Sequence, residues 1–90
     1  MNFEKHVRFP ETLFAQEVDG EMVLLDMNSE NYYGLDRVAT DIWHLLQEGK
    51  SLEETVEELL ELYDVEEQRL RHDLELFVSQ LTERGLAELA

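Results

Sequence analysis

The hydrophobic pattern of this chain changes its period once, near Asp36. Before that residue, short apolar-rich runs alternate with clusters of turn-forming residues, a pattern that is typical of β-strands. After it, apolar residues recur at three- and four-residue spacing, which is typical of amphipathic helices. A group of strands followed by a group of helices predicts an α+β fold, and a length of 90 residues predicts one domain over residues 1–90.

Three strands are predicted in the N-terminal part. The first two cover residues 14–18 and 21–27 and are joined by Asp19-Gly20. An Asp-Gly pair between apolar runs favours a two-residue type I′ turn, which needs positive φ at both positions. Asn28-Ser29-Glu30 supplies a second turn, and residues 31–35 form the third strand. The second strand is apolar on both alternating faces, so we expect it at the centre of a three-stranded antiparallel meander.

The first two predicted helices carry recognisable signals at their N-termini. We expect the first helix over residues 37–47, with Asp36 as its N-cap. The second helix begins at Ser51, and Ser51 and Glu54 have the spacing of a capping box. In that motif the two side chains satisfy backbone N–H groups that the helix itself leaves unpaired.

The third predicted helix follows Asp64, with Glu67 three residues on as another capping-type pair, and it ends at Arg84 and Gly85. Its core stripe consists of Leu70, Leu74, Phe77, Val78 and Leu81. The predicted architecture is therefore an N-terminal three-stranded meander followed by a three-helix bundle. That order of elements resembles a winged helix with the wing moved to the front.

Charge and composition exclude several classes of function. The chain has 22 acidic and 7 basic residues, and its formal net charge is −15. Such a field repels phosphate groups, so neither nucleic acid nor an anionic membrane is an expected partner. The chain has no cysteine, which excludes disulfides and thiolate metal sites. No apolar run has the length of a signal peptide or a membrane span, so we expect a soluble cytoplasmic protein.

The sequence contains no pattern that predicts catalysis, a cofactor or a metal. Its three histidines are scattered, and its serines lack the setting of an activated nucleophile. Asp26, Asn28 and Glu30 have the alternate spacing of a calcium loop, but the required glycine and final glutamate are replaced by Asn31 and Arg37. We therefore expect a binding module that is not an enzyme.

The third strand is the best candidate for a binding surface. An outer strand presents unpaired N–H and C=O groups that must be covered, charged or used. This strand contains Tyr32 and Tyr33 and neither lysine nor proline, and Gly34 allows a second backbone to approach. Period-2 alternation turns one tyrosine towards the helices and leaves the other partly exposed, unless both pack in the core. Residues 3–12, which include Pro10, are predicted to be either an irregular arm or an edge strand.

The third helix offers a second wall for the same site. Arg69, Asp73, Leu76 and Gln80 form a stripe about 100° round the helix from the core stripe. Together with Phe77 they are suited to line a groove that receives side chains of an added strand. The alternative is that Leu76 is an ordinary surface leucine.

Several segments of the chain together have the order and spacing of a known family. They are Leu25-Asp26, Tyr32-Tyr33-Gly34-Leu35-Asp36, Ala39, Ile42-Trp43, Leu45-Leu46, Gly49, Ser51, Asp73, Phe77, Leu81 and Gly85-Leu86. In these the chain resembles the PqqD family, the RiPP recognition elements that bind leader peptides of ribosomally made, post-translationally modified peptides. The similarity spans residues 14–89. A free-standing acidic domain of this size is most similar to the B1 proteins of lasso peptide biosynthesis.

The resemblance implies that a leader peptide docks as an added strand on the third strand and packs against the third helix. It implies peptide contacts from Asn31, Tyr32, Tyr33, Gly34, Leu35, Arg69, Asp73, Leu76, Phe77 and Gln80. It also implies two further partners, a protease that removes the leader and a cyclase that closes the ring, and no catalytic activity or cofactor in the module itself.

Three alternatives stay open at this point. The chain is also similar to peptide chaperones of pyrroloquinoline quinone synthesis, which share the fold. A winged-helix DNA-binding domain has the same order of elements, but its third helix would need more basic residues than this one has. An acidic scaffold that joins two enzymes would bind the protease without binding the leader.

Overall fold

The computed structural model describes residues 1–90 and confirms the α+β order. The elements are β1 (Val7–Arg8), β2 (Leu13–Val18), β3 (Glu21–Asp26), β4 (Tyr32–Leu35), α1 (Arg37–Gln47), α2 (Leu52–Leu62), α3 (Glu67–Glu83) and β5 (Glu88–Leu89). The predicted meander is the sheet β2-β3-β4, with β3 at its centre and both pairings antiparallel. The strands β1 and β5 form a separate two-stranded sheet that the sequence did not indicate.

Two turns set the register of the meander. Asp19 and Gly20 both have positive φ, at 53° and 83°, which confirms the predicted type of hairpin. The second turn is built around Asp26, whose carboxylate accepts hydrogen bonds from the Thr12 hydroxyl at 2.5 Å and the Ser29 hydroxyl at 2.7 Å. These two hydroxyls hold the pKa of Asp26 below its ordinary value. The acid that imitated a calcium ligand is therefore the organiser of the turn before β4.

One face of the meander packs on the helices. Met22, Leu24 and Leu35 point to that face and are buried in a core that continues into all three helices. Helix α1 lies against β3 and β4, α2 packs on α1, and α3 packs on α2. The central strand β3 therefore has β2 and β4 on either side and α1 against one of its faces.

The helix caps agree with the sequence at two of three positions. The carboxylate of Asp36 accepts from the Ala39 N–H, and Ser51 and Glu54 form the complete capping box. The predicted cap at Asp64 is wrong, because α3 begins only at Glu67. An N-cap directly precedes the first helical residue, and Glu66, which occupies that place, makes no side-chain capping bond.

The N-terminal arm is anchored on the side of α2 and the C-terminal end. Val7 pairs with Leu89 in the small sheet, and the His6 N–H donates to the Ala90 carbonyl at 2.9 Å. The Lys5 carbonyl accepts from the N–H of Leu52 at the start of α2, at 3.0 Å. Of the two predicted alternatives, the arm thus contributes a strand, but in its own sheet and not at the edge of the meander.

None of the helices has the length and apolar character needed to cross a membrane.

Candidate functional site

The strand β4 has a free edge whose backbone groups can be assigned from its pairing. Asp26 donates its N–H to the Asn31 carbonyl at 2.9 Å, so these two residues form a hydrogen-bonded pair. Hydrogen-bonded and non-hydrogen-bonded pairs alternate along an antiparallel ladder. With the observed register, Tyr33 and Leu35 therefore bond to β3, while the N–H and C=O groups of Tyr32 and Gly34 face outwards. Neither residue makes a backbone hydrogen bond outside the meander, so four polar groups on this edge are available.

The two adjacent tyrosines point to opposite sides of the sheet, as the alternation predicted. Tyr33 is half-buried, and its ring meets Phe77 of α3 edge-on with 6.2 Å between centroids. Its hydroxyl donates a hydrogen bond to Oε1 of Gln80. Tyr32 is 68% exposed on the opposite face. A single side chain, Tyr33, therefore spans the gap between the free strand and two of the predicted groove residues.

Arg84 lies beside the same tyrosine, and the sequence did not single it out as a neighbour of Tyr33. Its guanidinium carbon lies 5.0 Å from the centroid of the Tyr33 ring, and its backbone carbonyl accepts from the Asn31 side-chain amide at 3.0 Å. The sequence marked Arg84 only as the end of a helix. Its spacing from Phe77 and Gln80, seven and four residues, places all three on one helical face and was the available signal.

Nearer the start of α3, a cavity of about 460 Å³ lies between α1, the α2–α3 loop and α3. It is lined by Val38, Tyr63, Asp64, Val65, Glu66, Arg69, Leu70 and Asp73. Arg69 and Asp73 are thus brought together, but with loop residues and Val38 that were not predicted to be near them. Val38, near the start of α1, is 43% exposed and forms part of this wall.

Two of the predicted site residues occupy special positions. Leu76 is exposed and lies on the helical stripe between Asp73 and Gln80. Leu35 is 2% exposed and points into the core, where its backbone pairs with Met22. The predicted stripe on α3 is therefore open to solvent at Leu76, whereas the side chain of Leu35 is turned into the core.

The fold and this edge define a class of protein, a small α+β module with a free strand beside its last helix. The chain belongs to the PqqD family, described as coenzyme PQQ synthesis protein D, which matches residues 21–87. It is a PqqD-like RiPP recognition element, as the sequence indicated.

Two solved structures are similar to the chain over nearly all of its length. The structure of TbiB1 in complex with the TbiA(beta) leader peptide is 34% identical, with a TM-score of 0.84; 90% of this chain and 94% of that chain are covered. The structure of a lasso peptide synthetase B1 complexed with the leader peptide is 30% identical, also with a TM-score of 0.84, and the coverage is 92% and 98%. No curated protein matches the chain.

Proposed function

We propose that this protein binds the leader segment of a ribosomally made precursor peptide as an added strand on β4. The observation that carries the proposal is the free edge at Tyr32 and Gly34, whose N–H and C=O groups have no partner in the folded chain. Leaving such groups unpaired next to a side-chain groove is the arrangement used for strand addition. Membership of the PqqD family and the similarity to two leader-bound B1 proteins support the same function.

Affinity and specificity come from different parts of this site. The backbone groups of Tyr32 and Gly34 bond any extended segment, whatever its sequence. Side chains of the guest that point towards the helices meet the α3 stripe, with Phe77 and Gln80 at one end and Arg69 and Asp73 at the other. Leu76 lies between these ends. The guest is therefore read by alternate residues, because successive side chains of a strand point to opposite faces.

The module has no catalytic task in this proposal. It holds the precursor by its leader and delivers it to a protease that removes the leader and to a cyclase that closes the ring. The lasso pathway is preferred over pyrroloquinoline quinone synthesis because both similar solved structures are B1-type proteins.

The decisive experiment removes one outward N–H without touching the rest of the site. In Gly34→Pro the ring replaces the N–H that faces the free edge, while the bonds from Tyr33 and Leu35 to β3 remain. Titration calorimetry with the leader peptide should show a loss of affinity of about tenfold or more. In Gly34→Ala the N–H is kept and the added Cβ meets no atom within 4 Å, so its affinity should match that of the parent.

A second control places proline at the opposite edge of the meander. Met27 donates to the Thr12 carbonyl at 3.0 Å, so by the same alternation the N–H of Ala15 faces outwards from β2. Ala15→Pro should bind the leader as the parent does. Equal affinities for Gly34→Pro and the parent, or no binding of the leader by the parent, would overturn the proposed function.

A further inference from the structure

The strand β2 has a second free edge, on the opposite side of the meander from β4. The bond from the Met27 N–H to the Thr12 carbonyl makes these two residues a hydrogen-bonded pair. By the alternation of an antiparallel ladder, the backbone groups of Ala15 and Glu17 therefore face outwards. Neither residue makes a backbone hydrogen bond outside the meander, so this edge offers free N–H and C=O groups to a guest strand.

A cavity of about 380 Å³ opens on the helix-facing side of this edge. Its walls are β2, the C-terminal half of α1 and residues 7–11 of the N-terminal arm. Leu13 and Ala15 line it from β2, because their partners in β3 are buried against the helices and paired residues share a face. Trp43 and Leu46 line it from α1. A concave, partly apolar space of this size beside a free strand edge can receive a side chain of an added strand.

The wall that contains Trp43 has an unsatisfied donor. The Trp43 side chain is 5% exposed, and its indole N–H is buried without a hydrogen-bond partner. Phe9 of the arm packs against the indole with 6.1 Å between ring centroids, and Phe9 is itself only half-buried. Buried donors in folded proteins are nearly always paired, so the free chain leaves this wall of the cavity incomplete.

Charge selects the kind of guest at this edge. Residues 9–36, which include β2 and its hairpin with β3, contain seven acidic residues and no lysine, arginine or histidine. Glu17 and Glu21 are exposed at the hairpin end of β2, and Arg8 is the only basic residue that lines the cavity. A second copy of the chain would bring the same acids and another net charge of −15, which disfavours self-association. Charge complementarity instead favours an extended segment that carries lysine or arginine.

We propose that β2 and this cavity bind an extended segment of another polypeptide, in which an apolar side chain is flanked two residues away by lysine or arginine. The backbone of the guest pairs with the outward groups of Ala15 and Glu17. Its apolar side chain enters the cavity beside Ala15, and the basic side chain lies next to Glu17, because alternate residues of a strand share a face. This site is separate from the β4–α3 groove, so the inference goes beyond the proposed function and does not rest on it.

A synthetic peptide of this pattern, Thr-Lys-Thr-Leu-Thr-Lys-Thr with both ends blocked, tests the site directly. Its pattern reads the same in both directions, so it suits a parallel or an antiparallel guest. Trp43 is the only tryptophan of the chain, and its indole N–H gives a single signal in a nitrogen–proton correlation spectrum. Addition of the peptide should shift this signal until it saturates. The same peptide with glutamate in place of both lysines should bind at least about tenfold more weakly.

Two proline variants assign the peptide to one edge or the other. Ala15→Pro removes the outward N–H of β2 and should weaken peptide binding by about tenfold or more. Gly34→Pro removes the outward N–H of β4 and should bind the peptide as the parent does. Circular dichroism shows whether Ala15→Pro is folded, and this readout holds even if the parent binds no leader. The proposed function and this inference can therefore fail independently.

A further pair of variants tests the cavity. Ala15→Leu keeps the N–H but fills space that the leucine of the peptide needs, so binding should weaken by about tenfold. Gln16→Leu makes a similar change on the opposite face of β2 and should alter affinity by about twofold or less. The inference is overturned if the Trp43 signal stays unmoved throughout the titration, or if Ala15→Pro and Ala15→Leu bind the peptide as the parent does. Loss of peptide binding in Gly34→Pro also overturns it, because the peptide would then occupy the edge of β4.

Discussion

Two short segments of this fold, the N-terminal arm and the strand β4, differ in how their backbone groups are paired. The N-terminal arm, which includes β1, makes backbone hydrogen bonds with β5 and with the start of α2. The strand β4, four residues long, is paired on one side only, and its other side carries the free groups of Tyr32 and Gly34. Both segments contain a buried aliphatic residue, Val7 and Leu35, so both are anchored in the same core. The difference lies in the backbone N–H and C=O groups, which are hydrogen-bonded in the N-terminal arm and unpaired on the outer edge of β4.

Both outer strands of the meander, β2 and β4, have an unpaired edge, and that of β4 lies beside α3. The N-terminal arm pairs with β5 and with the start of α2, and it does not cover the edge of β4. An unpaired strand edge beside a helix suits a guest strand.

The largest effect on stability is expected in the N-terminal arm, whose backbone is paired with β5. Val7→Asp places a carboxylate where a 6% exposed valine packs in the core, and it should lower the free energy of unfolding by about 3 kcal/mol. Urea denaturation followed by circular dichroism measures it. Arg8→Asp puts the same group at the exposed neighbouring position and should change stability by less than about 0.5 kcal/mol. Similar losses for the two variants would show that the arm is not anchored by Val7.

The next effect concerns the side chain that joins β4 to α3. Tyr33→Ala removes the contact with Phe77 and the bond to Gln80, and should weaken leader binding by about 1–3 kcal/mol. Tyr33→Phe keeps the ring and should lose about 1 kcal/mol or less. Calorimetry with the leader peptide measures both. Parent-like affinity in Tyr33→Ala would remove this tyrosine from the site.

A smaller but more direct contrast is expected in amide hydrogen exchange. The N–H groups of His6 and Leu52 are hydrogen-bonded between the N-terminal arm, the C-terminal end and α2. In the free protein they should exchange at least about tenfold more slowly than the N–H groups of Tyr32 and Gly34. Addition of the leader should slow exchange at Tyr32 and Gly34 only. Slow exchange at these two residues without leader would mean that their N–H groups are already paired.

The smallest effect is the response of the turn before β4 to acid. The hydroxyls of Thr12 and Ser29 lower the pKa of Asp26, so the unfolded chain binds this proton more tightly than the folded one. The stabilisation is therefore present at neutral pH and is lost as pH falls through the folded-state pKa, below 3.8. In Asp26→Asn this part of the acid dependence of unfolding should be missing. An unchanged acid dependence would show that Asp26 does not hold the turn.

The sequence predicted those parts of the fold that have a local or periodic signal. The Asp19-Gly20 turn, the Asp36 cap and the Ser51–Glu54 capping box all depend on residues within a few positions of each other, and all are confirmed. The pairing of β1 with β5 was missed because two-residue strands have no period, and their partners lie at opposite ends of the chain.

The candidate site could also be predicted only in part. The α3 stripe and the alternation of the two tyrosines follow from helix and strand geometry, so they could be predicted. The position of Arg84 over Tyr33, and the cavity that joins Val38 to Arg69, depend on how distant elements pack. Which residues contact the peptide stays a prediction until a complex is measured.

Tyr33 has a mechanical consequence for the groove. Its ring contacts Phe77 and its hydroxyl donates to Gln80, while the guanidinium of Arg84, just after α3, lies over the same ring. No backbone hydrogen bond joins β4 and α3. A spacing set by side-chain rotamers is compliant, because a rotation of one ring changes it without breaking the ladder to β3. In the proposed leader complex, the spacing between β4 and α3 can therefore follow a bulky or a small side chain of the guest strand.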